Sequence, residues 1–121
     1  MVVVDAGEAS VGITNGEIIE VLWSDTSWVP RKHDAGGQSQ RRFERGRDEA
    51  LKHWLRKVVD VVMRHHEGRR LVIGGPGMTK DRFVKELPGY VADKVDRMES
   101  CGYTCDAGLY ELLGKSRYAK V

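Results

Sequence analysis

Apolar β-branched residues near the start of the chain predict a sheet. Residues 2–5 begin with three valines, an apolar run that is typical of a buried strand. The segments SVGIT and EIIEVLW follow, and Asn15-Gly16 between them is the dipeptide that best suits a two-residue hairpin turn. The pattern therefore predicts three strands in the first 24 residues, two of them joined as a hairpin.

The alternation of apolar and polar residues ends at about residue 24, and apolar residues at helical spacing begin again only after residue 39. A long loop over residues 24–39 is indicated by Pro30, Asp34, Gly36 and Gly37. Loops of this length inside a compact domain are usually functional or mobile. From residue 40 to about residue 66 there is no proline, and apolar residues recur at helical spacings. They predict a long helix with one buried face that carries Phe43, Ala50, Leu51, Trp54, Val58, Val61 and Val62.

The second half of the chain predicts another strand and two more helices. RRLVIGG reads as a short strand, and strand, long helix and strand together form a crossover unit that favours a parallel arrangement. The glycines at 74–77 lack the Gly-Lys-Ser/Thr ending of a phosphate-binding loop and predict a tight turn, with Thr79 capping a helix to about Leu87. VADKVDRMESCGYT fits helix and strand equally well. A terminal helix is predicted over DAGLYELLGKS, capped by Asp106 and facing inward through Leu109, Leu112 and Leu113.

Positive charge is concentrated in one segment. The chain carries a net charge of only +2, but residues 31–57 hold nine basic and four acidic residues. On the predicted helix, Arg41, Arg45, Lys52 and Arg56 share one register, away from the apolar face. Arginine matches the geometry of phosphate groups, so this ridge and the neighbouring loop indicate contact with RNA.

Bulk properties exclude several other classes of protein. A length of 121 residues suits one domain, and the abrupt start with a strand suggests a domain cut from a longer chain. Cys101 and Cys105 are too few for a disulfide framework and lack the partners of a zinc site. The sequence has no 18-residue apolar run and no signal peptide. We therefore expect a cytoplasmic protein with reduced thiols, no metal and no membrane contact.

The tip of the loop has the residues for catalysis by positioning. Gly36 and Gly37 permit positive φ angles and let the backbone approach a ligand without an intervening Cβ atom. The neutral amide of Gln38 can hold a water molecule without titrating, and its main-chain N–H can donate to a developing oxyanion. Two tryptophans flank the loop, Trp23 and Trp28, and are expected to brace its base.

These residues carry a resemblance to a known family. KHDAGGQSQRRFERGR is similar to the Gly-Gly-Gln segment of the archaeal and eukaryotic class 1 translation termination (peptide chain release) factors. LVIGGPGMTKDRFVKEL resembles the strand, glycine turn and helix that follow in the archaeal members, and GYTCDAGLYELLGKS fits the same domain more loosely. The likeness spans nearly the whole chain, which would be the catalytic middle domain of a larger release factor.

The resemblance implies both a fold and an activity. The fold is an α/β domain with a mixed sheet of about five strands flanked by helices, so that residues 95–100 become a strand. The implied activity is hydrolysis of the peptidyl-tRNA ester at termination, with the loop inside the ribosomal peptidyl transferase centre. The domain is then not a free-standing enzyme, because it acts together with the ribosome.

The same resemblance assigns roles to individual residues. Catalysis falls to Gly36, Gly37 and Gln38, and Gln38 is also a candidate for methylation on its side-chain nitrogen. RNA contacts are expected from Arg31, Lys32, His33, Ser39, Arg41, Arg42, Arg45, Arg47, Lys52 and Arg56. The expected partners are large-subunit rRNA, the acceptor end of the P-site peptidyl-tRNA and a GTPase that binds domains absent from this chain. No cofactor is implied, and a monomer is expected.

Two other functions remain open at this point. A stop-codon-independent ribosome rescue factor would use the same loop and differ only in its flanking domains. A non-catalytic rRNA-binding module would carry the Gly-Gly-Gln sequence incidentally, so that replacing its glycines would leave its function intact.

Overall fold

The structure is a computed structural model, and it describes residues 1–27, 29 and 38–118, with side chains outside 38–45 and 116–118. Its strands are β1 (Val2–Val4), β2 (Glu8–Thr14), β3 (Ile19–Thr26), β4 (Leu71–Gly74) and β5 (Val95–Glu99). Its helices are α1 (Gln38–His65), α2 (Thr79–Glu86), α3 (Gly89–Ala92) and α4 (Asp106–Tyr118).

The five strands form one mixed sheet in the order β3-β2-β1-β4-β5. β1 pairs antiparallel with β2 and parallel with β4, while β2–β3 is antiparallel and β4–β5 parallel. β3 therefore runs in the same direction as β4 although two strands separate them. The predicted α/β fold with a mixed, five-stranded sheet is confirmed, and so is the strand expected over residues 95–100.

The valines of β1 lie at the centre of the fold because both faces of this strand are covered. Val2 and Val4 belong to the main core, which also contains the apolar face of α1. Val3 points to the opposite face and packs with Leu109 and Leu112 of α4. The alternation along three residues thus places α1 on one side of the sheet and α4 on the other.

Helix α1 buries a wider face than the sequence pattern indicated. The predicted positions Leu51, Trp54, Val58, Val61 and Val62 are buried, and Ala50 is half-buried. Leu55 and Val59 are buried too, although they were not predicted. They continue the row from Leu51 at steps of four residues, and α2 packs against the same helix, so a second stripe of α1 is covered. The side chain of Phe43 lies outside the described residues.

The predicted hairpin exists, but its two-residue turn is wrong. Thr14 pairs with Ile19, so the loop contains four residues, Asn15 to Ile18. The Asn15 carboxamide oxygen accepts the N–H groups of Glu17 at 2.9 Å and Ile18 at 3.1 Å. The hydroxyl of Thr14 accepts the N–H of Gly16 at 3.0 Å and donates to the Ile18 carbonyl at 2.6 Å. These side-chain bonds satisfy the backbone of a wider loop.

Several predicted boundaries shift by one to three residues. β3 continues to Thr26 and α1 begins at Gln38, so the predicted loop 24–39 is trimmed at both ends and the predicted helix 40–66 becomes 38–65. Thr79 does not cap α2, since it is the first helical residue and Met78 holds the cap position without a side-chain hydrogen bond. Asp106 is likewise the first residue of α4 and not the residue before it. Leu109, Leu112 and Leu113 face inward as predicted.

The turn after β4 is structural because the backbone packs closely there. Gly75 has a φ of 157°, and a Cβ atom on it would lie 2.2 Å from the carbonyl oxygen of Val4 in β1. No side chain fits between the two strands' ends at this point. The glycine turn therefore serves the contact between β1 and the segment after β4.

Gly75→Ala should lower the free energy of unfolding by about 3 kcal/mol or more, because the added methyl group collides with backbone that cannot rotate away. Gly89→Ala is the matched control, since a Cβ atom there meets nothing within 4 Å. It should change the stability by no more than about 0.5 kcal/mol. Urea denaturation of the 121-residue chain measures both values, and equal stabilities would contradict this account of the turn.

Helix α1 contains a glycine, Gly46, that no packing contact requires. Gly46 is exposed, and a Cβ atom placed on it meets nothing within 4 Å. Gly46→Ala should therefore raise the free energy of unfolding by about 0.5 to 1 kcal/mol, the usual difference between these residues within a helix.

Gly108→Ala in α4 is the control for that substitution. It offers the same gain in helix propensity, but its methyl group would lie 2.1 Å from the Tyr103 carbonyl oxygen. Thermal unfolding should show a higher melting temperature for Gly46→Ala and a lower one for Gly108→Ala. A lower value for Gly46→Ala would mean that the helix needs flexibility at this point for its fold.

Candidate functional site

The predicted catalytic segment adjoins the first residue of α1. Gln38 is the first residue of the helix and Ser39 is the second. Both were predicted to lie in the loop and are helical instead. Gly36 and Gly37 lie outside the described residues, together with the predicted RNA-binding residues Arg31, Lys32 and His33. Trp28, expected to brace the loop, is also outside them.

The predicted basic ridge runs along α1. Arg41, Arg42 and Arg45 lie in its first turns, where the backbone is helical and the side chains are outside the described part. Lys52 and Arg56 are exposed on the outer face, and Arg47 is half-buried. Because a helix rises about 1.5 Å per residue, the positions from Arg41 to Arg56 extend over about 22 Å along one side of α1.

Two ion pairs connect this helix to α2. Asp48 accepts a hydrogen bond from the Arg82 guanidinium at 3.1 Å, and Arg82 also donates to the Asp48 carbonyl at 3.3 Å. Eight residues further along α1, Arg56 approaches Glu86 at 3.6 Å. The side chain of Arg56 is still 59% exposed, so most of its guanidinium remains accessible to a partner. Solvent-exposed pairs of this kind contribute little stability but favour one relative arrangement of the helices.

A third set of contacts connects α1 to β3. The Lys57 ammonium donates to the Asp25 carboxylate at 2.8 Å and lies 5.9 Å from the centre of the Trp54 ring. This hydrogen bond, together with the one from the Thr26 N–H, lowers the pKa of the Asp25 carboxyl below its usual value. The Trp54 ring also meets the Trp23 ring, with centroids 6.0 Å apart. The prediction that Trp54 belongs to the core is confirmed, since only 6% of it is exposed.

The residue that follows β3 is held by the turn between β1 and β2. The Ser27 N–H donates to the Gly7 carbonyl at 2.8 Å, and the Ser27 hydroxyl donates to the Ala6 carbonyl. In the same turn, the Asp5 carbonyl accepts the indole N–H of Trp54 at 2.9 Å. The contacts of Asp5, Asp25 and Lys57 could not be predicted from the sequence, because partners 20 to 50 residues apart leave no local pattern.

The described residues contain no group of three or more histidine, cysteine, aspartate or glutamate side chains that could hold a metal ion. Cys101 and Cys105 are free thiols, and burial raises the pKa of the Cys101 thiol, with the nearby Glu111 carboxylate adding to the effect. Cys101 is therefore a packing residue beneath the Gly74 turn. Within the part of the chain that the structure describes, no helix is long and apolar enough to cross a membrane.

A cavity lies at the opposite end of α1 from Gln38. It has a volume of about 380 Å³ and is lined by His65, His66 and Arg69 at the end of α1, with apolar residues of β1 and β2 as its floor. His66 is buried, and its Nε2 atom has no hydrogen-bond partner among the described atoms. Since α1 rises about 1.5 Å per residue, His65 and Gln38 are about 40 Å apart along its axis. The cavity is thus separate from Gln38.

Known proteins match this chain over nearly its full length. The family model described as eRF1 domain 2 matches residues 1–121. The peptide chain release factor subunit 1 of Archaeoglobus fulgidus is 40% identical over 97% of this chain, and that of Thermoplasma acidophilum is 38% identical over 96%. The chain spans 30% of the length of each of these relatives.

A solved structure shares the fold. The crystal structure of the archaeal translation termination factor aRF1 superposes with a TM-score of 0.66 over 99% of this chain and 34% of its own. The identity there is 23%, so this likeness concerns the fold alone. Together with the match of the family model to every residue from 1 to 121, these relatives show that the chain belongs to the eRF1 domain 2 family of peptide chain release factors.

Proposed function

We propose that this chain is the middle domain of a release factor and promotes hydrolysis of the peptidyl-tRNA ester when translation terminates. One observation carries the proposal: the sequence Gly36-Gly37-Gln38 leads directly into a 28-residue helix that is fixed to the sheet and to α2. A short catalytic segment can act inside the ribosome only if a rigid element carries it there. Membership of the release factor family supports the same conclusion.

The position of Gln38 suits electrostatic catalysis. The first N–H groups of a helix have no acceptor within the helix, and the helix dipole adds partial positive charge at this end. Gln38 is the first residue of α1, so its backbone N–H is available to an oxyanion that develops on the ester. One well-placed donor of this kind lowers a barrier by about 3 to 4 kcal/mol. The Gln38 amide would orient the attacking water, and Gly36 and Gly37 would let the backbone approach the ester without Cβ atoms.

The basic ridge supplies the proposed contacts with rRNA. Its side chains would bind phosphate groups and so position α1 on the rRNA without recognising the base sequence. This suits a domain whose task is to place a catalytic segment. The exposed Lys52 and Arg56 extend this surface beyond the first turns of the helix. Together with neighbouring residues of the loop and the helix, the proposed rRNA contacts are Arg31, Lys32, His33, Ser39, Arg41, Arg42, Arg45, Arg47, Lys52 and Arg56.

The remaining parts of the proposal concern the setting. The domain acts in the cytoplasm, as a monomer, on the large ribosomal subunit and the acceptor end of the P-site peptidyl-tRNA. Stop-codon reading and recruitment of a partner GTPase belong to other domains of the parent protein. No cofactor takes part, and Gln38 is the expected position of methylation.

Gly37→Ala in the full-length factor should abolish release while ribosome binding is largely kept, because the methyl group obstructs the approach of the backbone to the ester. The measurement is formyl-methionine release from ribosomes with formyl-methionyl-tRNA in the P site and a stop or a sense codon in the A site. Unimpaired release by the variant would contradict a catalytic role of Gly37. No release by a wild-type factor that binds the ribosome would favour a non-catalytic rRNA-binding module. Release on sense codons would instead indicate a rescue factor.

Lys52→Gln should weaken ribosome binding in a salt-dependent manner, because one phosphate contact is lost. The slope of log affinity against log salt should become shallower by about 0.7 for a contact with single-stranded RNA. Lys94→Gln is the matched control, since Lys94 is also exposed but lies just before β5 and not on α1. Filter binding at several salt concentrations measures both slopes, and identical slopes would remove Lys52 from the proposed rRNA surface.

A further inference from the structure

One short turn holds the chain on both sides of the Gly-Gly-Gln segment. We name residues Asp5 to Gly7, between β1 and β2, the anchor turn. Its carbonyl groups accept hydrogen bonds from Ser27, which precedes the segment, and from Trp54 in α1, which follows it. Ser27 and Trp54 are far apart in sequence, so the turn is their common point of attachment.

The anchor turn is itself well ordered by hydrogen bonds. The Asp5 carboxylate accepts the N–H of Gly7 and, at 3.3 Å, the N–H of Glu8. The Asp5 N–H donates to the Glu8 carbonyl at 3.0 Å. The antiparallel pairing of Val4 with Ala9 continues directly from this turn into the centre of the sheet. A turn whose backbone N–H groups are bound by one of its own side chains, and which joins two central strands, is a rigid point of attachment for other segments.

Trp54 is the residue that transmits this rigidity to α1. Its ring is buried, and the hydrogen bond from its indole N–H to the Asp5 carbonyl is directional, unlike the apolar contacts around it. The ion pairs of α1 with α2 and β3 are exposed and contribute less to position. The Trp54 hydrogen bond therefore defines one position of the helix along its axis relative to the sheet.

The distance from this bond to Gln38 makes small errors important. Gln38 lies about 24 Å along the axis from Trp54, so a tilt of about 5° at Trp54 displaces Gln38 by about 2 Å. A misplacement of about 1 Å at a reacting centre can lower a rate by about a hundredfold. A loose attachment at Trp54 would thus be amplified at the catalytic end of the helix.

We propose that the anchor turn sets the position of the Gly-Gly-Gln segment, with Trp54 and Ser27 as its two positioning residues. The inference rests on the proposed function, since it concerns the same site. Neither residue touches the reacting atoms; each acts through the segment that it attaches to the sheet.

The test uses Trp54→Phe and Ser27→Ala in the full-length factor. Phenylalanine keeps an aromatic ring in the core but lacks the N–H, and alanine lacks the hydroxyl that donates to Ala6. Trp23→Phe is the control for the first change. The Trp23 ring packs against the Trp54 ring, but it donates no hydrogen bond in the described structure. Ser27→Thr keeps the hydroxyl and is the control for the second.

Single-turnover peptide release separates positioning from binding and folding. Trp54→Phe and Ser27→Ala should each lower the rate at saturating factor by about tenfold or more, with half-saturation nearly unchanged. Both controls should release peptide at close to the wild-type rate. Wild-type saturating rates in the two variants would overturn the inference, as would a change in half-saturation alone. A lower melting temperature without loss of rate would show that the contacts serve only the fold.

A second readout keeps this inference distinct from the proposed function. In the free factor, Trp54→Phe should accelerate backbone hydrogen exchange in the first turns of α1, while exchange in α4 stays the same. If the wild-type factor binds the ribosome without releasing peptide, or if Gly37→Ala releases it at the wild-type rate, the proposed function fails, and the exchange result still decides whether the anchor turn holds α1. Unchanged exchange in those turns would overturn the inference.

Discussion

The packing of α1 onto the valines of β1 is the interaction on which the rest of the structure depends. Val2 and Val4 cover one face of the central strand and are completed by α1 residues such as Leu55 and Val58, all of them fully buried or nearly so. This contact determines the direction of the helix, and the helix begins at Gln38. The position of Gln38 at the start of α1 therefore follows from apolar packing in the middle of the domain.

Polar contacts restrict the sliding and rotation of α1 that the apolar packing still allows. Apolar side chains resist separation but tolerate small sliding, whereas the indole hydrogen bond of Trp54 defines one position along the helix. The exposed pairs of α1 with Arg82 and Asp25 then limit its rotation from two sides. Basic residues on the outer face remain accessible because the apolar stripe of α1 faces the sheet and α2. Helix α1 thus has one face that packs against the domain and another face that is suited to RNA.

The fold class followed from local patterns together with the family resemblance, whereas the chemistry of the Gly-Gly-Gln segment stays a prediction. The period of α1, the alternation in the first strands and the Gly-Gly-Gln sequence can each be recognised within a short window. The four-residue hairpin loop was missed because its geometry is set by the side chains of Thr14 and Asn15. The anchor turn could not be predicted, since its bond to Trp54 joins residues 49 positions apart. Propensity likewise favoured Thr79 as a cap, but Thr79 is the first helical residue and Met78 holds the cap position.

The most direct test of the account is a structure of the full-length factor on a ribosome that holds peptidyl-tRNA in the P site. The distance to measure joins the backbone nitrogen of Gln38 and the carbonyl oxygen of the peptidyl ester. The account predicts a hydrogen bond of about 3 Å, with α1 attached to the anchor turn as in the free domain. A bound factor whose Gln38 lies outside the peptidyl transferase centre would contradict it.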